Sequence, residues 1–312
     1  MNFQQLEYII AVDKYRHFAK AADKSFVTQP TLSMMIQKLE TELGIKIFDR
    51  TRQPVVPTKD GEEIIRRAKL IVAESSRLKE FADELKGEIS GEVHIGIIPT
   101  LAPYLLPRFL ASFSAKHPNL RIFIKEMVTD DIIRHLNHGD IDMGLLATPL
   151  HHASLEEHHL FFEEFFAYAS QEEKLPKKKY ILPAQIDTER LLLLEEGHCM
   201  RSQIFNLCSL RKAEDAPSNL HYEAGSIETL INLVDRNQGI TIVPHLATLH
   251  LSAAQMKNIR EFARPKPVRE ISIVVQKGFP RKKILDFLRT EIVKGLPTDH
   301  SSSDRNVLDI VA

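Results

Sequence analysis

Tryptophan is absent from the 312 residues, and cysteine occurs only twice, at Cys199 and Cys208. Two cysteines cannot build a disulfide-dense scaffold or a four-cysteine zinc site. Charge of one sign is also missing: 41 Lys and Arg face 42 Asp and Glu, a net of −1. That balance excludes a uniformly basic nucleic-acid coat, though not a local basic surface. The opening MNFQQLEYIIAVDKYRHFAKAAD lacks the basic start, apolar core and small-residue cleavage site of a signal peptide. The longest uncharged stretch, 237–256, is interrupted by Pro244, His245 and His250 and makes a poor membrane span. The expectation is a cytoplasmic protein with no membrane partner. Its thiols start reduced there, and a disulfide would be regulatory rather than structural.

What is present is an ordinary globular composition, with 43% hydrophobic residues over a length that suits two or three domains. Residues 1–58 predict a compact helical unit. Phe3, Leu6, Ile9 and Ile10 open a first helix, 18–25 a second, and 29–43 a third. Thr28 can cap the third helix, Pro30 falls in its first turn and Gly44 ends it. Short helices, a tight turn and small residues at the crossing describe a helix-turn-helix. The alternation in 45–57, with Arg50 and Arg52 at its bend, reads as a β-wing. Eight Lys or Arg against six Asp or Glu in 1–58 is too small an excess to establish DNA binding by charge alone.

From 59 to 89 the pattern is one long helix. Ile64, Ala68, Ile71, Ser75, Leu78, Ala82 and Leu85 follow heptad a/d spacing, which favours a dimerising seam over a helix lying on its own domain. Beyond Gly91, strands at 93–98, 120–125 and 141–146 alternate with helices at 105–116 and 130–137, implying a parallel sheet covered by helices. Strands at 165–169, 191–194, 240–243 and 270–276 and helices at 228–235 and 282–294 continue the pattern. The expected division is a first lobe from 90–163 and 265–296, a second from 164–264, and a mobile Ser-rich tail at 297–312.

The segment FAKAADKSFVTQPTLSMMIQKLETELGIKIFDR closely resembles the winged helix-turn-helix of LysR-type transcriptional regulators. The Ala-Ala pair, Gln-Pro-Thr-Leu-Ser, Leu-Glu, Leu-Gly and the closing Phe-x-Arg stand in order. EEGHCMRSQIFNLC is similar to the redox loop of the hydrogen-peroxide sensors in that family, and HIGIIPTLAPYLLP and SIETLINLVDRNQGITIVP agree. The resemblance implies an α/β multidomain chain: a winged helix-turn-helix, a long linker helix and a two-lobed regulatory domain like a periplasmic binding protein. It implies promoter DNA, hydrogen peroxide, a second copy of the chain (a homodimer, then a homotetramer) and RNA polymerase as partners. No cofactor and no metal are expected, and the chain is expected not to be an enzyme.

The expected base and backbone contacts are Gln29, Pro30, Thr31, Ser33, Gln37 and Lys38 on the third helix, with Arg50 and Arg52 on the wing. The bland reading of each polar residue is a solvated helix face. Cys199 is expected near a strand end at the start of a helix, where the helix terminus, His198 and Arg201 favour thiolate. Were 199–208 helical, nine steps would separate the cysteine Cα atoms by about 13.5 Å, whereas a disulfide needs about 5.5 Å. Either the segment is irregular when reduced, or the bond must unravel it. The hypothesis is that Cys199 is oxidised to sulfenic acid and Cys208 resolves it to a disulfide. The resemblance implies that Thr100 and Thr129 position peroxide, while His198, Arg201 and Arg269 polarise it or support the thiolate. Thr100 and Thr129 could equally be helix caps. Val268 stands where the family commonly shows an arginine, and Ser202 where better-known members carry an Asp. Competing readings are a regulator with an organic effector between the lobes, a thiol peroxidase, and a metal site using Cys199, Cys208 and His198. His151, His152, His158 and His159 also cluster, in what reads as a polar, solvent-facing connection.

Overall fold

The computed structural model describes residues 1–85, 89–173, 180–208, 224–236, 239–297 and 305–308. The side chain of Leu85, residues 86–88 and tail residues 298–304 and 309–312 lie outside the described residues. The chain divides into two compact units: Met1–Glu88 with Asn137–Asp140, and Ile89–Leu136 with Ile141–Ala312.

The first unit is built from α1 (Phe3–Tyr15), α2 (Phe18–Lys24), α3 (Gln29–Leu43), β1 (Phe48–Asp49), β2 (Val56–Pro57) and α4 (Lys59–Leu85). Asn2 and Gln5 form a reciprocal capping box on α1. Thr28 accepts the Thr31 N–H at the start of α3, and Gly44, at φ +68°, closes its other end in the left-handed region. Leu32, Ile36 and Leu39 repeat at helical spacing and bury with Leu6, Ile9 and Val12 in one core. The wing is short: β1 and β2 pair antiparallel, Phe48 with Pro57 and Asp49 with Val56. The linker helix α4 changes character along its length. Ile65 and Ala68 are buried in the unit's core, whereas Ile71 and Leu78 are exposed.

The second unit follows as β3 (Gly91–Ile97), α5 (Ala102–Lys116), β4 (Leu120–Glu126), α6 (Thr129–His138), β5 (Met143–Thr148), β6 (Leu155–Ala169) and β7 (Tyr180–Ile181). Then come α7 (Cys199–Leu207), α8 (Ile227–Asp235), β8 (Ile240–Pro244), α9 (His245–Thr248), β9 (Ile259–Phe262), β10 (Lys266–Gln276), α10 (Lys282–Gly295) and β11 (Arg305–Val307). β4, β3 and β5 run parallel to one another. β10 enters antiparallel to both β5 and β6, so the sheet is mixed rather than parallel as expected. β6, 15 residues long, pairs with β10 as far as Glu164 and with β8 and β9 from Phe165 and Phe166 onward. Two lobes therefore share a single strand.

Three expectations are corrected. The connection expected at 151–159 becomes strand at Leu155, so His158 and His159 lie on β6, with His159 Nδ1 3.0 Å from Glu270 Oε1. The strand expected at 191–194 is reduced to isolated bridges, Leu191 with Ile240 and Leu194 with Ala224. The tail is not free throughout: β11 pairs in parallel with β10, and Leu308 is buried. A Val-Leu pair can repay strand pairing that a count of serines does not reveal.

Candidate redox site and DNA interface

The redox helix begins at a sharp turn. Gly197 has φ +90°, a conformation costly for any side chain, and a Cβ there would lie 3.7 Å from Val128. The turn thus packs against the residue preceding Thr129. Cys199 is the first residue of α7 and Cys208 caps its end, donating its backbone N–H to Ile204 O at 2.9 Å. Both thiols are free. The segment is therefore helical when reduced, and a disulfide between the two sulfurs requires α7 to unwind.

The two cysteines are not equivalent. Cys199 is buried in the first turn of α7, at the positive end of the helix dipole. Burial alone pushes the Cys208 thiol up to about 11, which keeps it protonated and a weak nucleophile. His198 departs from the expected cation. It is buried, and desolvation lowers its pKa against the opposing pull of Glu195 Oε1, 3.7 Å from Nε2. A neutral imidazole can donate or accept a hydrogen bond but brings no charge to the sulfur. Arg201 donates from Nη1 to Leu194 O at 2.6 Å and lies over the Phe205 ring, so it also ties α7 to the preceding turn.

Arg269 and Thr100 meet in the interior. Both Arg269 and Glu163 are fully buried, with Arg269 Nε and Nη2 2.9 and 2.8 Å from Glu163 Oε2. Arg269 Nη1 donates to Thr100 Oγ1 (2.9 Å) and Nη2 to the Thr100 carbonyl (3.2 Å). The other oxygen, Glu163 Oε1, accepts the Leu246 N–H at 2.8 Å. Thr100 is not a helix cap, since α5 has Leu101 at its N-cap and no side-chain cap bond. With Oγ1 accepting from the guanidinium, its hydroxyl hydrogen is left to donate. Thr129 Oγ1, at the start of α6, is buried without a partner. Such an orphaned hydroxyl calls for a reason. Among the described residues, no hydrogen bond joins Cys199 to Thr100, Thr129 or Arg269. Val268, at the position of the missing arginine, is buried and pairs with Glu164 on one side and Val307 on the other. No group of three or more His, Cys, Asp or Glu among the described residues could hold a metal ion.

Sequence reasoning missed two residues here. Glu163 lies in the apolar run LFFEEFFAYA, where a buried acid needs a cation. Tyr104 Oη donates to Glu228 Oε1 at 2.7 Å, joining α5 of one lobe to α8 of the other.

On the first unit, Gln29, Pro30, Thr31, Gln37 and Lys38 are exposed along α3, while Ser33 is half-buried. Arg50 does not reach out freely. Its Nη1 donates to Ser33 Oγ (3.1 Å), its Nη2 to Glu40 Oε2 (3.0 Å), and its guanidinium covers the Phe18 ring. It fixes the wing against α3. Arg52 is exposed, 3.2 Å from Asp49. Met34, not foreseen, stands 62% exposed on the face carrying Thr31, Gln37 and Lys38. A large apolar side chain there suits a thymine methyl.

A winged helix-turn-helix followed by a two-lobed α/β module with a dithiol helix defines a DNA-binding regulator with a built-in switch. Comparison with known proteins agrees. Residues 3–62 match the model of bacterial regulatory helix-turn-helix proteins of the lysR family, and 86–293 the LysR substrate binding domain. The hydrogen peroxide-inducible genes activator of Haemophilus influenzae is 35% identical over 280 residues, covering 90% of this chain and 92% of the relative. The DNA-binding transcriptional dual regulator OxyR of Escherichia coli is 34% identical over 90% of this chain and 91% of its own length. Full-length OxyR from Pseudomonas aeruginosa superposes with a TM-score of 0.77 at 29% identity, over 94% of this chain and 98% of that one. A hydrogen-peroxide-bound mutant OxyR from Corynebacterium glutamicum gives 0.60 at 26%, over 94% and 92%. The chain belongs to the lysR family of transcriptional regulators and, within it, to the OxyR group. The relatives are transcriptional regulators rather than enzymes. No helix among the described residues is long and apolar enough to cross a membrane.

Proposed function

We propose that the chain senses hydrogen peroxide through Cys199 and passes the signal to promoter DNA by forming a Cys199–Cys208 disulfide. The observation that carries this reading is the placement of two free, chemically unequal thiols at opposite ends of α7. The Cys199 thiolate attacks one peroxide oxygen, the O–O bond breaks, and the departing hydroxide takes a proton to leave as water. The sulfur is oxidised to sulfenic acid. The Cys208 thiol then attacks that sulfur, the S–O bond breaks and a second water leaves. Two thiols and one peroxide become one disulfide and two waters.

In this scheme Thr100, held by Arg269, donates to one peroxide oxygen and Thr129 supplies the second hydroxyl. His198 acts as a neutral hydrogen-bonding partner, and Arg201 is the cation of the thiolate turn. Gln29, Pro30, Thr31, Ser33, Gln37 and Lys38 read or track the operator, Arg52 reaches phosphate, and Arg50 sets the wing. The domain boundaries follow: DNA reading in 1–58, dimerisation in 59–89, and lobes divided at 163/164 and 264/265. Homodimers joined at α4 pair into a tetramer that engages RNA polymerase in the cytoplasm. Each sensing event is one turnover and no cofactor is required. An organic effector between the lobes is a poorer reading, because Arg269, Glu163 and Thr100 satisfy one another.

Stoichiometric peroxide followed by disulfide mapping and thiol counting tests the scheme. A Cys199–Cys208 bond is expected, and intact thiols without that bond would sink it. Cys208→Ser should accumulate sulfenic acid at Cys199, and an unmodified Cys199 in that variant would contradict the order of attack.

A further inference from the structure

The buried face of α7 carries Cys199, Met200, Gln203 and Ile204 at i, i+1, i+4 and i+5. Gln203 is the polar exception and is completely buried. Its Nε2 donates to the backbone carbonyl of Leu308, 3.0 Å away and 105 residues on. Leu308 belongs to the core cluster and donates its own N–H to Val268 O at 2.9 Å. The preceding residues form β11, in parallel register with β10: Arg305 beside Lys266, Asn306 beside Pro267, Val307 beside Val268. The Arg305 guanidinium lies 4.8 Å from the centre of the Phe162 ring. A short C-terminal strand is thus fastened along its length to the strand bearing Arg269 and, at Leu308, to the redox helix.

We propose that residues 305–308 act as a strap on α7, and that Gln203 is the positioning residue through which the strap sets how readily the disulfide forms. The inference rests on the Cys199–Cys208 reading above. Joining the sulfurs shortens a helical span of about 13.5 Å to about 5.5 Å. That change removes the turns that hold Gln203 in place, so oxidation breaks its bond to Leu308. A contact made only in the reduced state opposes oxidation by its net strength. For one buried hydrogen bond this is about a 3- to 10-fold effect on the oxidation equilibrium. For a two-electron couple, that is a shift of about 15 to 30 mV. The strap also gives the oxidised protein a second altered surface, because the C-terminal segment loses one of its two anchors.

Two measurements on the full chain, Gln203→Leu, and a chain ending at Pro297 test this. In the reduced proteins, amide hydrogen exchange across 199–207 should be about 3- to 10-fold faster in both variants than in the parent, and the Leu308 amide should exchange faster in Gln203→Leu. This arm involves no disulfide, so it decides the strap even if wild-type protein treated with peroxide never forms the bond and the redox reading fails. In glutathione buffers of graded poise, both variants should become oxidised at about 3- to 10-fold lower oxidant ratio. A general loss of stability would leave that midpoint unmoved. Unchanged exchange in α7 together with an unchanged midpoint would overturn the proposal. Should Gln203→Leu fail to fold, the chain ending at Pro297 carries both readouts.

Discussion

Replacing Glu163 by glutamine tests the buried ion pair directly. Glu163 uses both oxygens: Oε1 accepts from Leu246 N–H, and Oε2 accepts from Nε and Nη2 of Arg269. Glutamine has one oxygen to offer. It can satisfy the backbone amide or the guanidinium, and its NH2 group must face a donor at the other position. The guanidinium stays charged and fully buried with only Thr100 to receive it. Breaking a buried pair in this way costs about 3–5 kcal/mol, a large share of the roughly 5–15 kcal/mol of a typical domain. Urea unfolding of the reduced protein, followed by circular dichroism at neutral pH, reads the loss as a shift in midpoint at constant slope. The same substitution should slow sulfenic acid formation, because Arg269, which orients the Thr100 hydroxyl, loses the carboxylate that holds it in place. A Glu163→Leu/Arg269→Met double variant removes both charges and should recover much of the stability but not the rate. A loss below about 1 kcal/mol in Glu163→Gln would mean that Arg269 is served by solvent or another acid, and the chain from Glu163 to Thr100 would have to be abandoned.

Four further outcomes are expected. The Cys208 thiol titrates at about 11 in the folded state, above its unfolded value of about 8.5–9. Its contribution is therefore complete below pH 8 and is lost as pH rises from about 9 to about 11. Wild type should lose on the order of 2 kcal/mol more than Cys208→Ser over that interval, and parallel pH profiles would refute the burial argument. Lys38→Ala should lower the salt slope of operator binding by about one. Met34→Ala should leave the slope alone and alter preference at one base pair; an effect on the slope would remove Met34 from the groove. Asp at both Ile71 and Leu78, the exposed large apolar seam residues of α4, should give monomers by sedimentation, and a persistent dimer would move the interface elsewhere.

Local chemistry was readable from the sequence wherever neighbours in the chain decide it. Thr28, Pro30 and Gly44 mark both ends of α3. Cys199 follows a glycine turn and opens a helix. What escaped depends on distant pairing. The first half of β6, rich in Glu and His, is a strand only because β10 lies beside it. β11 exists because Val268 accepts a neighbour and Gln203 offers an amide to Leu308. His198 was taken for a cation because its burial comes from the fold around it, and Arg50 for a free contact because Glu40 is ten residues away in sequence. Glu163 did carry a signal, an acid inside a run of phenylalanines, but nothing nearby named Arg269 as its counterion.

The shared strand β6 limits how the molecule can respond. A clamshell opens because its halves are joined by thin, soft connections. Here the halves have a common girder, laced by backbone hydrogen bonds to β10 along one stretch and to β8 and β9 along the next, and the Tyr104–Glu228 bond adds a rivet across the joint. Bending a girder costs many bonds at once, whereas unwinding the nine-residue α7 costs few. Under the proposed disulfide chemistry, oxidation would recarve one surface while the frame stays put. Neighbouring copies would register that change as a new relief on a rigid block, which suits a signal carried between subunits on DNA.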